Sequence, residues 1–206
     1  IDEDDEANER IQDSLSEYEN VSTEEINSAY SRMRTNQRHA IAELENGISG
    51  LEKKLSDAVA SDDIQVGSQA FNEITAQIEQ YKVALDSANM TLSGYYSAEF
   101  DAIKASYERQ LELASETEKV RILTQAQKEL LAVLSMAVSS GEVEKGSEAW
   151  YSMQIGLNDI GEQIHTINQN AAKEAADAAA QARQDAWDLF DFIEERLADL
   201  AAEAKF

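Results

Sequence analysis

LEKKLSDAVASDDIQVGSQAF, residues 51–71, and LLAVLSMAVSSGEVEKGSEAW, residues 130–150, are two versions of one stretch set 79 residues apart. Leu51, Leu55, Ser56, Ala58, Val59, Ser61, Gly67, Ser68 and Ala70 each recur at that offset, Ile64 returns as Val143, and Phe71 returns as Trp150. Each copy reads as the end of a helix, a short polar joint and the start of the next helix. Gly67 and Gly146 can take a positive φ at the joint. Ser68 and Ser147 then stand where an N-cap belongs, just before a new apolar series. A repeat of this length marks a rod or array of helical units rather than an active site.

Outward from the first joint, VSTEEI at residues 21–26 carries a helix start. Ser22 and Glu25 have capping-box spacing, and Val21 and Ile26 are placed as a hydrophobic staple. Ile26, Tyr30, Met33, Ile41, Leu44, Ile48, Leu51, Leu55 and Ala58 then alternate by threes and fours, which predicts a helix over 23–61. After the joint, the series from Phe71 to Ala137 meets no breaker but Gly94. It predicts one helix over 68–139, about 105 Å long. A third helix opens at Ser147 with Trp150, Met153, Leu157, Ile160, Ile164 and Ile167, crosses an Ala-rich stretch, and regains its stripe at Trp187, Phe190, Leu197 and Leu200. Gly156 and Gly161 lie in this helix, as points of close backbone approach or of weakness.

The predicted fold is therefore all-α: long antiparallel helical hairpins or coiled coil, three long helices joined by two short Gly-Ser turns. A weaker repeat sets Ile26, Tyr30 and Arg32 against Ile103, Tyr107 and Arg109 at an offset of 77, and Phe100, Asp101, Arg109 and Leu113 against Trp187, Asp188, Arg196 and Leu200 at 87. It divides the chain into an acidic lead-in (1–21), a first unit (22–102), a second (103–189) and the start of a third (190–206). In the lead-in, Ile11, Leu15 and Tyr18 have helical spacing, the tail of an earlier helix whose first ten residues are expected to fray. A chain opening at Ile1 reads as an excised or processed piece.

Composition agrees. The chain has no Pro and no Cys among 206 residues. The strongest helix breaker is missing, and so are disulfides and thiolate metal sites. Hydrophobic residues reach 43% but aromatics only 7%, which suits a narrow seam better than a globular interior. A net charge of −24 keeps a rod soluble and argues against nucleic acid or an anionic membrane as partner. No apolar run is long enough to span a bilayer, and no basic-then-apolar opening marks a signal peptide.

Catalytic chemistry has little to stand on, and the reading is of no enzyme, no cofactor and no small-molecule substrate. Glu162 and His165 spell Glu-x-x-His, a motif of carboxylate-bridged metal pairs in helical bundles. The other histidine, His39, has Asn36 in the glutamate position, so no second half-site exists and no metal is expected. The run Asp2–Glu6 lacks the glycine of a calcium loop. The Gly-Ser pairs are too sparse to cradle phosphate. Asn20 and Asn89 fit a glycosylation sequon that is common by chance. Phe71, Trp150, Trp187 and Tyr107 recur in repeat register as core knobs or as contacts between chains.

VEKGSEAWYSMQIGLNDIGEQI, residues 143–164, resembles the helical repeats of tail tape-measure proteins from phages of Gram-positive hosts, where a Gly-Ser-x-x-Trp-Tyr-x-Met start recurs between long helices. RQDAWDLFDFIEERLADLAAEAKF, with Trp187, Asp188, Phe190, Arg196 and Leu200, looks like the stretch that follows it. The first joint departs from the pattern, with Phe71-Asn72-Glu73-Ile74 for Trp150-Tyr151-Ser152-Met153. The resemblance implies a rod along the tail lumen that fixes tail length during assembly and leaves before DNA passes. Tail tube, tip or chaperone proteins are then the partners, and the virion tail, or the host cytoplasm during assembly, is the location. The alternative is a cytoskeletal or surface-anchored coiled-coil spacer in the bacterial cytoplasm or at its surface. Apolar residues left uncovered in a three-helix chain, among them Tyr107, Leu111, Val120 and Trp187, predict self-association through the second and third helices.

Overall fold

The capping box at Ser22 opens the second of five helices found among the described residues of the computed structural model. The structure describes the backbone of residues 2–17 and 21–203, and the side chains of residues 6–13 and 21–188. The helices are α1 (Asp2–Glu17), α2 (Thr23–Ala60), α3 (Gln69–Glu112), α4 (Glu116–Ser139) and α5 (Glu148–Glu203). No strand occurs among the described residues. The chain divides into two compact units, Ile1–Ile160 and Gly161–Phe206.

The helix expected over 68–139 is two helices, which corrects the three-helix reading. α3 ends at Glu112 and α4 begins at Glu116. Neither Gly nor Pro makes this break. Ser115 makes it: its N–H and its hydroxyl both donate to Glu118 Oε2, at 3.0 and 2.6 Å. That capping box satisfies donors that an unbroken helix would have satisfied internally. Leu113, at the turn, is 93% exposed, the sign that the apolar series has been abandoned there. Instead of one rod of about 105 Å, the chain makes pieces of about 66 and 36 Å that fold back on each other.

In the first unit, α2 and α3 run antiparallel. Ser106, Glu99, Ala88 and Lys82 of α3 meet Val21, Arg34, Gln37 and Glu52 in turn, so one helix descends as the other rises. α4 returns along the C-terminal part of α3, with Tyr107 beside Gln125 and Glu129 at one end and Tyr96 near Ser140 at the other. α1 lies on α2 and reaches α3: Asn36 donates to Asn8 Oδ1 at 3.0 Å, and Asn8 donates to the Tyr95 hydroxyl at 3.2 Å. The deepest side chains are Met33, Tyr96, Ile103, Leu130, Val143 and Met153. They come from α2, α3, α4, the second joint and the opening of α5, which is a helical bundle with one shared core.

The reversal at Ser115 also buries what the sequence reading left outside. Tyr107 is 6% exposed, and its phenol is pushed up to about 12, first by burial and then by the Glu129 carboxylate. Leu111 and Val120 are half-buried. α4 re-enters the core in register with α2. Buried Ala29, Tyr30, Met33, Gln37, Ala40 and Leu44 are answered 93 residues on by buried Ile122, Leu123, Ala126, Leu130, Val133 and Ala137. α4 has 24 residues against 38 in α2, so it is shorter by 14. That is two heptads, and a deletion of whole heptads leaves the phase of the seam unchanged.

In the second unit α5 continues to Glu203. Its described side chains from Asn168 to Asp188 are exposed, and Trp187 is 65% exposed. The side chains of Phe190, Arg196, Leu197 and Leu200 lie outside the described residues, as do those of Leu15, Tyr18 and the run Asp2–Asp5.

Candidate functional site

The two joints are one structure built twice. In the first, the N–H groups of Ser61, Asp62, Ile64 and Ser68 donate to the carbonyls of Asp57, Val59, Ala58 and Gln65. In the second, those of Ser140, Gly141, Val143 and Ser147 donate to Met136, Val138, Ala137 and Glu144. Every one of these eight groups is displaced from its counterpart by 79 residues. Side chains repeat as well. Ser61 Oγ donates to Asp63 Oδ2 at 2.6 Å, and Ser140 Oγ to Glu142 Oε2 at 2.6 Å.

Two left-handed residues shape each joint. Asp62 (φ 60°) and Gly141 (φ 77°) stop the incoming helix, and Gly67 (φ 82°) and Gly146 (φ 89°) turn the chain into the next one. A left-handed residue just past the helix end releases the last carbonyls to bonds from beyond the cap. Ser68 Oγ then accepts the Phe71 N–H, and Ser147 Oγ the Trp150 N–H, each at 3.2 Å. Composition pointed to Gly67 and Gly146. The left-handed Asp62 carries no such signal, because Asp tolerates that region without advertising it.

The surroundings of the joints differ. At the second, Arg38 of α2 holds Glu142 through Nε (2.8 Å) and Nη2 (2.9 Å), and Nη2 also donates to the Tyr96 hydroxyl at 3.1 Å. Burial works against the charge of Glu142, but the bonds from Arg38, Ser140 and Tyr96 outweigh it and hold the carboxyl below the usual range. Beneath this clasp the Arg34 guanidinium lies 4.5 Å over the Tyr96 ring and pairs with Glu99, both side chains being almost wholly buried. At the first joint Asp63 stands in the place of Glu142 and is exposed; among the described residues its bond is with Ser61.

The four singled-out aromatics are not gathered. Phe71 is half-buried at the first joint, Trp150 half-buried at the second with Tyr151 edge-on at 5.0 Å, and Tyr107 sits in the core between α3 and α4. Trp187 belongs to the second unit. His165 is exposed and 2.8 Å from Gln169. Among the described residues no group of three or more His, Asp or Glu could hold a metal ion, and no described helix is long and apolar enough to cross a membrane. The clasp of Arg38, Tyr96 and Glu142 had no signature in the sequence, since its members lie 58 and 46 residues apart on three elements. Comparison of the chain with protein families, characterised proteins and solved structures finds no match.

Proposed function

We infer that this chain is a non-catalytic structural rod, a segment of a phage tail tape-measure protein. In this reading α2–α3 and α4–α5 are antiparallel coiled-coil hairpins, and tail tube, tip or chaperone proteins are the partners. One observation carries it: an identical hydrogen-bonded joint is built twice, separating helices whose lengths differ by whole heptads. Such a chain changes length by adding or removing repeats without changing its cross-section, which is the property a molecular ruler needs. The Gly-Ser-x-x-Trp-Tyr-x-Met start at the second joint adds the resemblance to tape-measure repeats.

The test is genetic. An in-frame deletion of residues 69–147 in the intact gene removes one repeat length and joins Ser68 directly to the start of α5, where it takes over the capping position of Ser147. Virions imaged by electron microscopy are then expected to carry tails shorter by about 120 Å, the length of that segment as one extended helix. Tails of unchanged length overturn the reading and leave the cytoskeletal or surface spacer in its place.

A further inference from the structure

The two copies of the joint have the same local structure and opposite fates. Around the second, between Lys128 and Gly156, the side chains of Leu130, Leu134, Ala137, Val143 and Met153 are buried. Around the first, no residue from Ser49 to Gln77 is buried, although Leu130, Leu134 and Ala137 stand for Leu51, Leu55 and Ala58 there. The difference is in the cover. The second joint lies against α2 and α3, where Arg38 and Tyr96 hold it. The first forms the end of a two-helix arm, and an open groove of about 480 Å³ runs along it between Leu55, Ser56, Val59, Phe71 and Ile78. A sequence kept apolar at the same positions in both copies, yet covered in only one, specifies a surface to be covered by another helical hairpin.

We propose that the arm formed by residues 49–77 is a docking surface for a second copy of this chain, which lays the same arm against it about a two-fold axis. This stands apart from the tail reading, since it needs only the repeat and the unequal burial. The in-chain precedent names the cover: what buries the second joint is the flank of a helical hairpin, and a second copy brings one. A head-to-tail continuation of the internal packing fits worse. The position 93 residues after Arg38 is Leu131, 54% exposed, so Asp63 would meet an apolar side chain where Glu142 meets a guanidinium. Self-pairing of the arms asks for no such clasp. The arm is about 20 Å long and two helices wide, giving roughly 1,000 Å² in total, at the lower limit of specific interfaces. The dimer is accordingly weak, forming at about 0.1–1 mM chain.

Sedimentation equilibrium of the whole chain over that range, in 0.5 M NaCl to screen the acidic charge, is expected to show a monomer–dimer equilibrium. Ser56→Arg, at the exposed rim of the groove, is expected to weaken it at least tenfold, and Val59→Glu more, with helicity by circular dichroism unchanged. Leu131→Arg should leave it as it was. The chain has no cysteine, so Ser56→Cys should form a disulfide dimer with itself on oxidation. A strict monomer at all concentrations overturns the proposal. So does a Ser56→Arg chain that dimerises like the parent, or a Ser56→Cys chain that cross-links only when mixed with Leu131→Cys.

Discussion

Arg34 and Glu99 show what a charged pair does in a seam this narrow. Both are buried, and Glu99 is pushed above the usual carboxylate range by burial, against the pull of Arg34. The Tyr96 ring takes the open face of the guanidinium. Burying two charges is costly, and the attraction between them returns much of that cost only while both are present. Glu99→Gln is therefore expected to destabilise the fold by about 3 kcal/mol, because it strands a buried guanidinium. Replacing both, Arg34→Met with Glu99→Leu, should cost less than either single change. Urea unfolding of the three variants decides it; a double variant as weak as the sum of the singles would show that the pair is not coupled. The pair also disfavours slipped registers of α2 on α3, which the apolar spacing alone would tolerate. None of this was legible in the sequence, where Arg34 and Glu99 lie 65 residues apart and each has the ordinary look of a surface charge.

At the scale of elements, the sequence was clear where a local rule decides and silent where tertiary packing does. The start of α2 at Thr23 follows from Ser22 and Glu25, whose carboxyl is held low by bonds from Ser22. The same signature stands at Ser115 and Glu118. It was passed over because apolar spacing continues across it, and only the burial of α4 on α3 decides that the cap wins. Helix-interior glycines separate the two kinds of rule. Gly94 in α3 has nothing within 4 Å of where a Cβ would stand, whereas a Cβ on Gly156 in α5 would lie 2.8 Å from Phe100 Cε1. Gly94→Ala is expected to stabilise by up to about 1 kcal/mol through helix propensity alone. Gly156→Ala carries the same propensity gain but forces Phe100 aside in a packed core, and should come out destabilising by about 1–3 kcal/mol. Thermal unfolding of the two variants reads the sign directly, and a stabilised Gly156→Ala would mean that α5 does not approach α3 as closely as described.

For the whole molecule, the excess of 41 acidic over 17 basic residues sets the response to pH. At neutral pH the carboxylates repel one another along thin helices, and compaction works against that repulsion. Lowering the pH begins to discharge them. Glu99 acts in the same direction: its pKa is raised in the folded state, so the fold takes up a proton more readily than the unfolded chain, and stability grows as pH falls through that range. Glu25, Glu118 and Glu142 act in the opposite direction. Hydrogen bonds hold all three low, so their contribution is present above the ordinary carboxylate range and is lost as pH falls through their depressed values. Two of them form the capping boxes that start α2 and α4, and the third is the clasp on the second joint, so their protonation loosens the points where the chain reverses. The melting temperature is thus expected to rise from pH 7 to about pH 5 and to fall below about pH 4. Near the isoelectric point of about 4.2 the loss of net charge should also bring the chain out of solution. At pH 7, 0.5 M NaCl should raise the melting temperature, because screening relieves many repulsions and weakens only a few exposed ion pairs. A melting temperature that falls steadily from pH 7 to pH 5, or drops with added salt, would mean that attractive surface pairs rather than net repulsion govern this fold.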